Sequence, residues 1–457
     1  MIGYFSTTVL RTTTSNFNQK LKKGWYFALN FVKVIIMDKE TTEILEIQDF
    51  LSIKYIKWKF EKFNIITGDM GSGKSVCIKL LKYFEDIIPR LLVLPYENFL
   101  KNLETNQFFD FLVKDFSDIF VFTTSEPDKQ FRFKVSYIFS YNEVTFDATI
   151  SSEKETGILF KSVFLESLLK EWFDYSQKKG VFVSENVTPD GFDEIKQHLY
   201  NELLKKFGNH FPMSTTFVPA SRAAIAFGSS HTDDYLKEYK ELVDVLPRFI
   251  SSKWEIVNTI LKAEMRIENG FLFLESNDGR KVPIAKASSG QQEIVYVLML
   301  LDKLGNFRYS YGKRQSVFIE EPSAHLFPLE QKQTIELIVV LFNTLKGNGS
   351  PIRFFITTHS PYVLNSLNNS LTKGALIDKY KDKEDEINKK FDIPYLNADE
   401  VSALFINNDG TVDNMLDIDE KYMFADKIAE ISYDIDKISA DLSIFKNELC
   451  DKKELLD

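Results

Sequence analysis

Eight consecutive residues, Gly68-Asp69-Met70-Gly71-Ser72-Gly73-Lys74-Ser75, satisfy G-x-x-x-x-G-K-[ST] at every fixed position. Glycines let the backbone wrap tightly round an anion with successive N–H groups turned inward. A helix that begins at such a loop, here from Val76 onward, adds the partial positive charge of its N-terminus. In a cradle of this kind Lys74 would reach the β- and γ-phosphates and the Ser75 hydroxyl would ligate Mg²⁺. The elements that must hold the loop are present in the sequence. Residues 63–67 read as a buried strand, and residues 76–84 carry the apolar spacing of a helix. The pattern arises by chance in on the order of one per cent of chains this long. The flanking strand and helix therefore favour a nucleoside triphosphate site over an ordinary Gly-rich turn.

Further segments carry polar groups at the ends of apolar runs. Ala287-Ser288-Ser289-Gly290-Gln291-Gln292-Glu293 stands directly before the helical run 294–304. It is a second anion-binding helix start, although Ser-Ser-Gly before a helix is by itself usually an N-cap. Ser316-Val317-Phe318-Ile319-Glu320-Glu321-Pro322 is an apolar strand that ends in paired carboxylates. A parallel sheet puts such acids beside a phosphate loop, where one can hold the Mg²⁺ shell and the next can orient water. Arg353-Phe354-Phe355-Ile356-Thr357-Thr358-His359-Ser360-Pro361 is another buried strand with a polar end, and His359 could reach a γ-phosphate from it. A lone histidine at a strand end is usually structural; next to the other motifs the functional reading prevails.

The 457 residues suffice for two or three domains, or for one large α/β domain with insertions. A hydrophobic content of 44% with 27% charged residues is that of a globular chain with a full core. The net charge of −10 argues against a general nucleic-acid coat but leaves a local basic patch open. With only Cys77 and Cys450, no disulfide framework or zinc cluster can be built, which makes a reducing cytoplasm the simplest home. The five histidines are scattered, which removes most zinc-hydrolase readings. The apolar stretch 25–36 is short and is broken by Asn30 and Lys33, and no later run is long enough for a membrane span. Residues 1–36 read either as a poorly ordered leader or as an upstream start, with Met37 then the natural beginning.

Residues 44–66 read as two strands in which Lys54, Lys57, Lys59 and Lys62 form a wet face. Residues 131–151 alternate with period two around Tyr141-Asn142-Glu143, a hairpin, and Asn277-Asp278-Gly279 marks another. Residues 160–265 are mostly helical in pattern, interrupted by Thr215-Thr216-Phe217-Val218-Pro219-Ala220-Ser221-Arg222. Residues 379–390 read as an exposed linker or solvated helix. A further hairpin surrounds Asn408-Asp409-Gly410, and Asp417-Ile418-Asp419 reads as a solvated helix start. Phe424, Ile428, Ile431, Ile435, Ile438, Leu442, Phe445 and Leu449 recur as the a/d seam of one amphipathic helix.

In combination these motifs resemble the ABC-type ATPases of the SMC, RecF and OLD-like superfamily, over roughly residues 44–365. The resemblance is nearest to stand-alone bacterial AAA-type ATPases of anti-phage defence systems such as PARIS and Septu. It rests on Glu320-Glu321-Pro322-Ser323-Ala324-His325-Leu326-Phe327-Pro328, on Thr357-Thr358-His359-Ser360-Pro361 and on the Pro-Ala-x-Arg segment. It implies an α/β P-loop fold: a mixed sheet flanked by helices, an antiparallel β subdomain, a helical lobe and a C-terminal helical extension. The implied parts are a leader (1–36), ATPase lobe I (37–160), a helical lobe (161–268), a segment with signature, second carboxylate strand and switch histidine (269–372), and the extension (373–457).

The resemblance also implies ATP and Mg²⁺, with Gly68 to Val76 around the phosphates. Lys74 becomes the phosphate residue, Ser75 and Glu320 the Mg²⁺ residues, Glu321 the catalytic base and His359 the γ-phosphate switch. Ser288, Ser289, Gly290 and Gln291 become the signature that caps ATP held by a second subunit, so a homodimer or higher homo-oligomer is implied. Residues 323–326 would cross between subunits. Ser289 departs from the usual first glycine of the signature, and for the lobe-sensing glutamine Gln107 and Gln130 are candidates. The interval from Ser75 to Ser288 is longer than in a transporter subunit. Without a glutamate strand before Asp417-Ile418-Asp419, a TOPRIM nuclease domain is not expected. A separate nuclease effector is the expected partner; the alternative is a RecF-like repair ATPase that binds DNA directly.

Overall fold

The computed structural model describes residues 41–93, 105–120, 132–153, 157–178, 189–220, 255–268, 271–305, 314–347, 351–424 and 437–438. The chain begins with β1 (Thr41–Phe50), β2 (Ile53–Lys59) and β3 (Phe63–Gly68), followed by α1 (Lys74–Glu85), α2 (Ile87–Val93) and α3 (Thr105–Ile119). A meander of β4 (Lys134–Tyr141), β5 (Val144–Glu153) and β6 (Gly157–Lys161) leads into α4 (Val163–Lys178) and α5 (Pro189–Phe207). Next come β7 (Pro212–Val218), α6 (Glu255–Leu261), β8 (Glu264–Glu268), β9 (Phe271–Glu275) and β10 (Lys281–Pro283). The second half alternates α7 (Ser289–Gly305), β11 (Arg314–Glu320), α8 (Pro328–Gly347), β12 (Ile352–Thr357) and α9 (Pro361–Lys379). It closes with α10 (Glu384–Lys390), β13 (Val401–Ile406), β14 (Val412–Asn414), β15 (Leu416–Asp417) and β16 (Tyr422–Met423).

The central sheet has the order β14-β13-β3-β12-β11-β7, and all but the edge strand β14 run parallel. Strands β3 and β11 are buried along their whole length and β12 nearly so, which is why they read as unbroken apolar runs. Alternation along the strands splits them between two cores. Phe63, Val317, Phe354 and Ile356 face α7, α8 and α9. Ile66, Phe318 and Phe355 face α1, α3 and the antiparallel sheet β2-β1-β4-β5-β6. This is an α/β architecture, with a mixed sheet, helices on its faces and an antiparallel subdomain. Among the described residues no helix is long and apolar enough to cross a membrane.

Residues 44–66 form three strands where the pattern suggested two. Phe50 pairs with Ile53, so Leu51-Ser52 is a two-residue turn with Leu51 at φ 52°, and the chain then leaves the antiparallel sheet to start β3 in the central one. Lys54, Lys57 and Lys59 are exposed on β2, an edge strand, where charge discourages pairing with another sheet. The hairpins at Asn142-Glu143 and Asn408-Asp409-Gly410 are present, as is the one at 276–280. Two segments set apart in the sequence reading are woven into the central sheet. From the helical lobe, β7 lies beside β11, and from the C-terminal extension, β13 lies beside β3. Burial of β3 and β11 requires a neighbour on each side, and apolar patterning alone does not say which strand supplies it. Asp417-Ile418-Asp419 is not a helix start: the Asp417 carboxylate accepts from the N–H groups of Asp419 and Glu420 and so turns the chain into β16. The leader, Gln130, Cys450 and, apart from Phe424 and Ile438, the C-terminal a/d seam lie outside the described residues.

At the heads of the parallel strands, away from the phosphate loop, an ionic cluster is sealed in the interior. Arg314, first in β11, donates to both oxygens of Glu43 at 2.8 and 2.6 Å and to Glu85 at 2.9 Å. Arg353 on β12 also pairs with Glu43, and the Tyr137 hydroxyl donates to it at 2.5 Å. Burial alone would raise the Glu43 carboxyl, but the two guanidiniums outweigh it and hold it at about 2. At Glu85 burial dominates and the carboxyl is pushed up to about 8. A Glu43→Gln substitution strands buried positive charge and should lower the unfolding free energy by about 3–5 kcal/mol. Glu85→Gln, which mimics an acid already inclined to be neutral, should cost much less. Urea unfolding at pH 7 measures both, and equal losses would contradict this division of roles.

Candidate functional site

The parallel strands deliver their last residues to one edge of the sheet, and the chemistry-bearing side chains gather there. Between β3 and α1 the loop turns through Gly68 at φ 144°, Gly71 at 78° and Gly73 at 111°. Gly68 is required twice over, because a Cβ there would lie 2.3 Å from the Ile406 carbonyl oxygen of β13 as well as forcing an unfavourable φ. The first turn of α1 has no acidic residue, and its N-cap Gly73 supplies no side-chain cap. Its first N–H groups therefore suit an external anion. The Ser72 hydroxyl is buried in the same loop without a hydrogen-bond partner. These features fit a bound phosphate chain.

Lys74 donates to the carbonyl oxygens of Gly68 and Asp69, both at 2.8 Å. Burial pushes its ammonium below the usual lysine range, opposed by the carboxylates of Glu321 and Asp69. Ser75 is exposed at the start of α1, Met70 stands 98% exposed at the loop tip, and Val76 packs on the aromatic core beneath. Glu320, the last residue of β11, is buried and accepts from the Ala220 N–H at 2.9 Å, so the Pro-Ala segment after β7 holds it. Ser75 and Glu320 are the residues that could hold Mg²⁺, an ion that commonly takes one or two protein ligands plus substrate phosphates.

Glu321 sits in the left-handed region at φ 44°, where an L residue is strained. Its N–H donates to the Thr357 carbonyl at 2.9 Å. Its carboxylate accepts from His359 Nδ1 at 2.9 Å and from the His359 backbone N–H at 3.3 Å. That hydrogen bond raises the imidazole above its ordinary value, against partial burial and the positive charge of Lys74. Lys74, Glu321 and His359, distant in the chain, thus form one electrostatic unit.

The signature residues do not join that unit. Ser288 caps α7 in a reciprocal box with Gln291: the Ser288 N–H and hydroxyl donate to Gln291 Oε1 at 3.2 and 3.0 Å. Gln291 Nε2 donates to the Leu261 carbonyl at 2.8 Å, so its side chain is committed within the fold. Ser289 and Gly290 open the helix. A Cβ at Gly290 would meet the His325 carbonyl oxygen at 2.7 Å, so glycine lets the loop after Glu321 lie against the signature. Sequence reasoning missed Gln331 and Ser360, whose hydroxyl donates to Gln331 Oε1 at 2.5 Å. The only local signal was their nearness to Glu321 and His359 in the two motifs. Gln107 lies in α3, and its side chain is not among those described.

The His359–Glu321 pair sets a pH dependence. With the folded-state imidazole raised, the stability it contributes is complete below the ordinary imidazole value and is lost as pH climbs through the raised one. In an NMR titration the His359 ring should have a midpoint above that of a free imidazole, and Glu321→Gln should bring it down. Coincident midpoints in the two proteins would show that the hydrogen bond does not govern the ring.

Comparison with known proteins gives a family and more distant likenesses. A family model described as "AAA domain, putative AbiEii toxin, Type IV TA system" matches residues 63–365. An anticodon nuclease from Escherichia coli is 28% identical over 101 residues, 22% of this chain and 25% of that protein. The chain therefore spans about a quarter of the length of that curated relative. Among solved structures, an SMC head bound to the C-winged helix domain of ScpA is 14% identical at a TM-score of 0.36, covering 71% of this chain and 91% of that one. The SMC head domain from Thermotoga maritima is 13% identical at a TM-score of 0.31, covering 72% and 92%. The recombination mediator protein RecF-ATPrS is 12% identical at a TM-score of 0.32, covering 82% and 99%.

Proposed function

The chain belongs to this family of AAA domains, and on that premise we propose that it is an ATP-hydrolysing switch whose nucleotide state is read by a separate effector. The observation that carries the reading is the convergence of Lys74, Glu321 and His359 at the ends of β3, β11 and β12. ATP would lie along Gly68 to Ser75, its phosphates taking the N–H groups at the start of α1. Lys74 would leave the Gly68 and Asp69 carbonyls for the β- and γ-phosphate oxygens. Mg²⁺, held by Ser75 and Glu320, would offset charge on those oxygens. Glu321 would orient the attacking water and take its proton as the oxygen bonds to the γ-phosphorus and the β–γ bridging bond breaks, leaving ADP and phosphate. His359, exchanging Glu321 for a γ-phosphate oxygen, would free that carboxylate only when triphosphate is present.

In the proposed assembly, Ser288 to Gly290 of one copy cap the nucleotide on another, so the working unit is a homodimer or larger homo-oligomer. Ser288 and Gln291 bond to each other and to the Leu261 carbonyl rather than to Lys74, Glu321 or His359, an arrangement that supports a site completed in trans. A nuclease as effector, in bacterial anti-phage defence, is supported by the family's toxin–antitoxin description and by the partial likeness to an anticodon nuclease.

Lys74→Ala should abolish ATP binding, because Lys74 neutralises phosphate charge in the ground state. Glu321→Gln should keep binding and lower turnover by about a hundredfold or more, as loss of a positioned general base does. Equilibrium binding of a fluorescent ATP analogue and steady-state phosphate release measure the two. Equal hydrolysis by Glu321→Gln and the unmodified protein would remove Glu321 from catalysis.

Mixing tests the shared site. Lys74→Ala and Ser288→Arg chains, inactive alone, should regain part of the activity together, since a heterodimer keeps one intact composite site. No recovery in a mixture shown by crosslinking to contain heterodimers would refute sharing.

A further inference from the structure

We infer that Gln331 is a positioning residue that couples the switch segment at His359 to the signature segment of the same subunit; the inference rests on the shared-site reading and deepens it. Gln331 lies in the first turn of α8, half-buried. Its amide bridges two functional loops. Nε2 donates to the Leu326 carbonyl at 2.8 Å, and Oε1 accepts from the Ser360 hydroxyl at 2.5 Å. A carbonyl can only accept, so the bond to Leu326 fixes which way the amide faces and obliges the Ser360 hydroxyl to be the donor. Shortening the side chain, or making it apolar, breaks both links.

Both links lead somewhere. Ser360 is the residue after His359 and also caps α9, its hydroxyl accepting from the Val363 N–H at 3.4 Å. Leu326 ends a loop of two tight turns, Ala324 N–H to Glu321 carbonyl at 3.1 Å and Leu326 N–H to Ser323 carbonyl at 3.2 Å. His325 in that loop has φ 60°, and its carbonyl oxygen occupies the space a Cβ at Gly290 would need. The loop is thus gripped at both ends by the same switch segment, at Glu321 by His359 directly and at Leu326 by Ser360 through Gln331. If His359 moves toward a γ-phosphate, the grip at Glu321 is released. Gln331 is a side-chain tie by which that movement reaches His325, and through it the Gly290 helix start that caps the neighbouring subunit's nucleotide.

Gln331→Met keeps length and removes both hydrogen bonds, and Ser360→Ala removes one from the other side. For each, kcat should fall about tenfold, within the range of site–site coupling, while KM for ATP stays within about twofold. The rise of specific activity with protein concentration should flatten. The double variant should be no worse than either single one, because both cut the same tie. Gln331→Glu, which still accepts from Ser360 but cannot donate to the Leu326 carbonyl, should lose as much activity as Gln331→Met. Unchanged kcat in Gln331→Met, additive losses in the double variant, or a parallel loss of ATP affinity and thermal stability would each overturn the coupling role. Failure of the shared-site reading would show separately, as an unmodified protein that binds ATP but whose specific activity ignores protein concentration.

Discussion

Everything that converges at the nucleotide edge of the sheet is anchored at its other end by the Arg314–Glu43 interaction. Glu43 belongs to the antiparallel subdomain, Arg314 and Arg353 head β11 and β12, and Glu85 closes the helix that starts at Lys74. One cluster therefore sets the relative position of the strand that ends in Glu320-Glu321, the strand that leads to His359 and the helix that begins at the phosphate loop. Its charges are hidden from water, so their pairing must hold or the desolvation cost is exposed in full. Such a cluster defines register more than it adds stability: a one-residue slip of β11 against β12 would separate Arg314 from its partners and move Glu320 and Glu321 by a full residue.

Opposite that anchor, the structure concentrates strain. Glu321 and His325 both occupy the left-handed region without being glycine, within one short loop. Each such residue costs on the order of 1–3 kcal/mol and persists only where its surroundings over-determine it. Here the surroundings are the Thr357 carbonyl, His359, the Gln331 amide and the face of Gly290. Three of those four belong to segments given a part in binding or sensing nucleotide. A loop held by the groups it must respond to can adopt a second arrangement with little further expenditure.

The parts of the site legible in the sequence were those whose signal is local. The phosphate loop carries its glycines, lysine and serine in one run. The acids at 320–321 and the histidine at 359 each follow an apolar strand, and a parallel sheet brings such ends together by rule. What stayed hidden depends on contacts between distant segments. An arginine at the head of an apolar strand, as at 314 and 353, looks like a return to solvent; only the fold shows carboxylates waiting there. The pairings of β7 and β13 with the central sheet were hidden too, since patterning reports that β3 and β11 are covered but not by what. Gln331 and Ser360 looked like ordinary residues at helix starts, and their bridge depends on the packing of α8 against α9.

The carbonyl of Ile406 lies where Gly68 lacks a side chain, and Ile406 pairs with Gly68 in the sheet. The floor of the phosphate loop is therefore made by a strand that the ribosome produces long after the loop itself. A nascent chain that has completed the glycine-rich motif, the paired acids and the histidine still lacks the wall against which the motif closes. A chain broken off before β13 would carry every recognisable motif yet lack the carbonyl wall on which Gly68 closes.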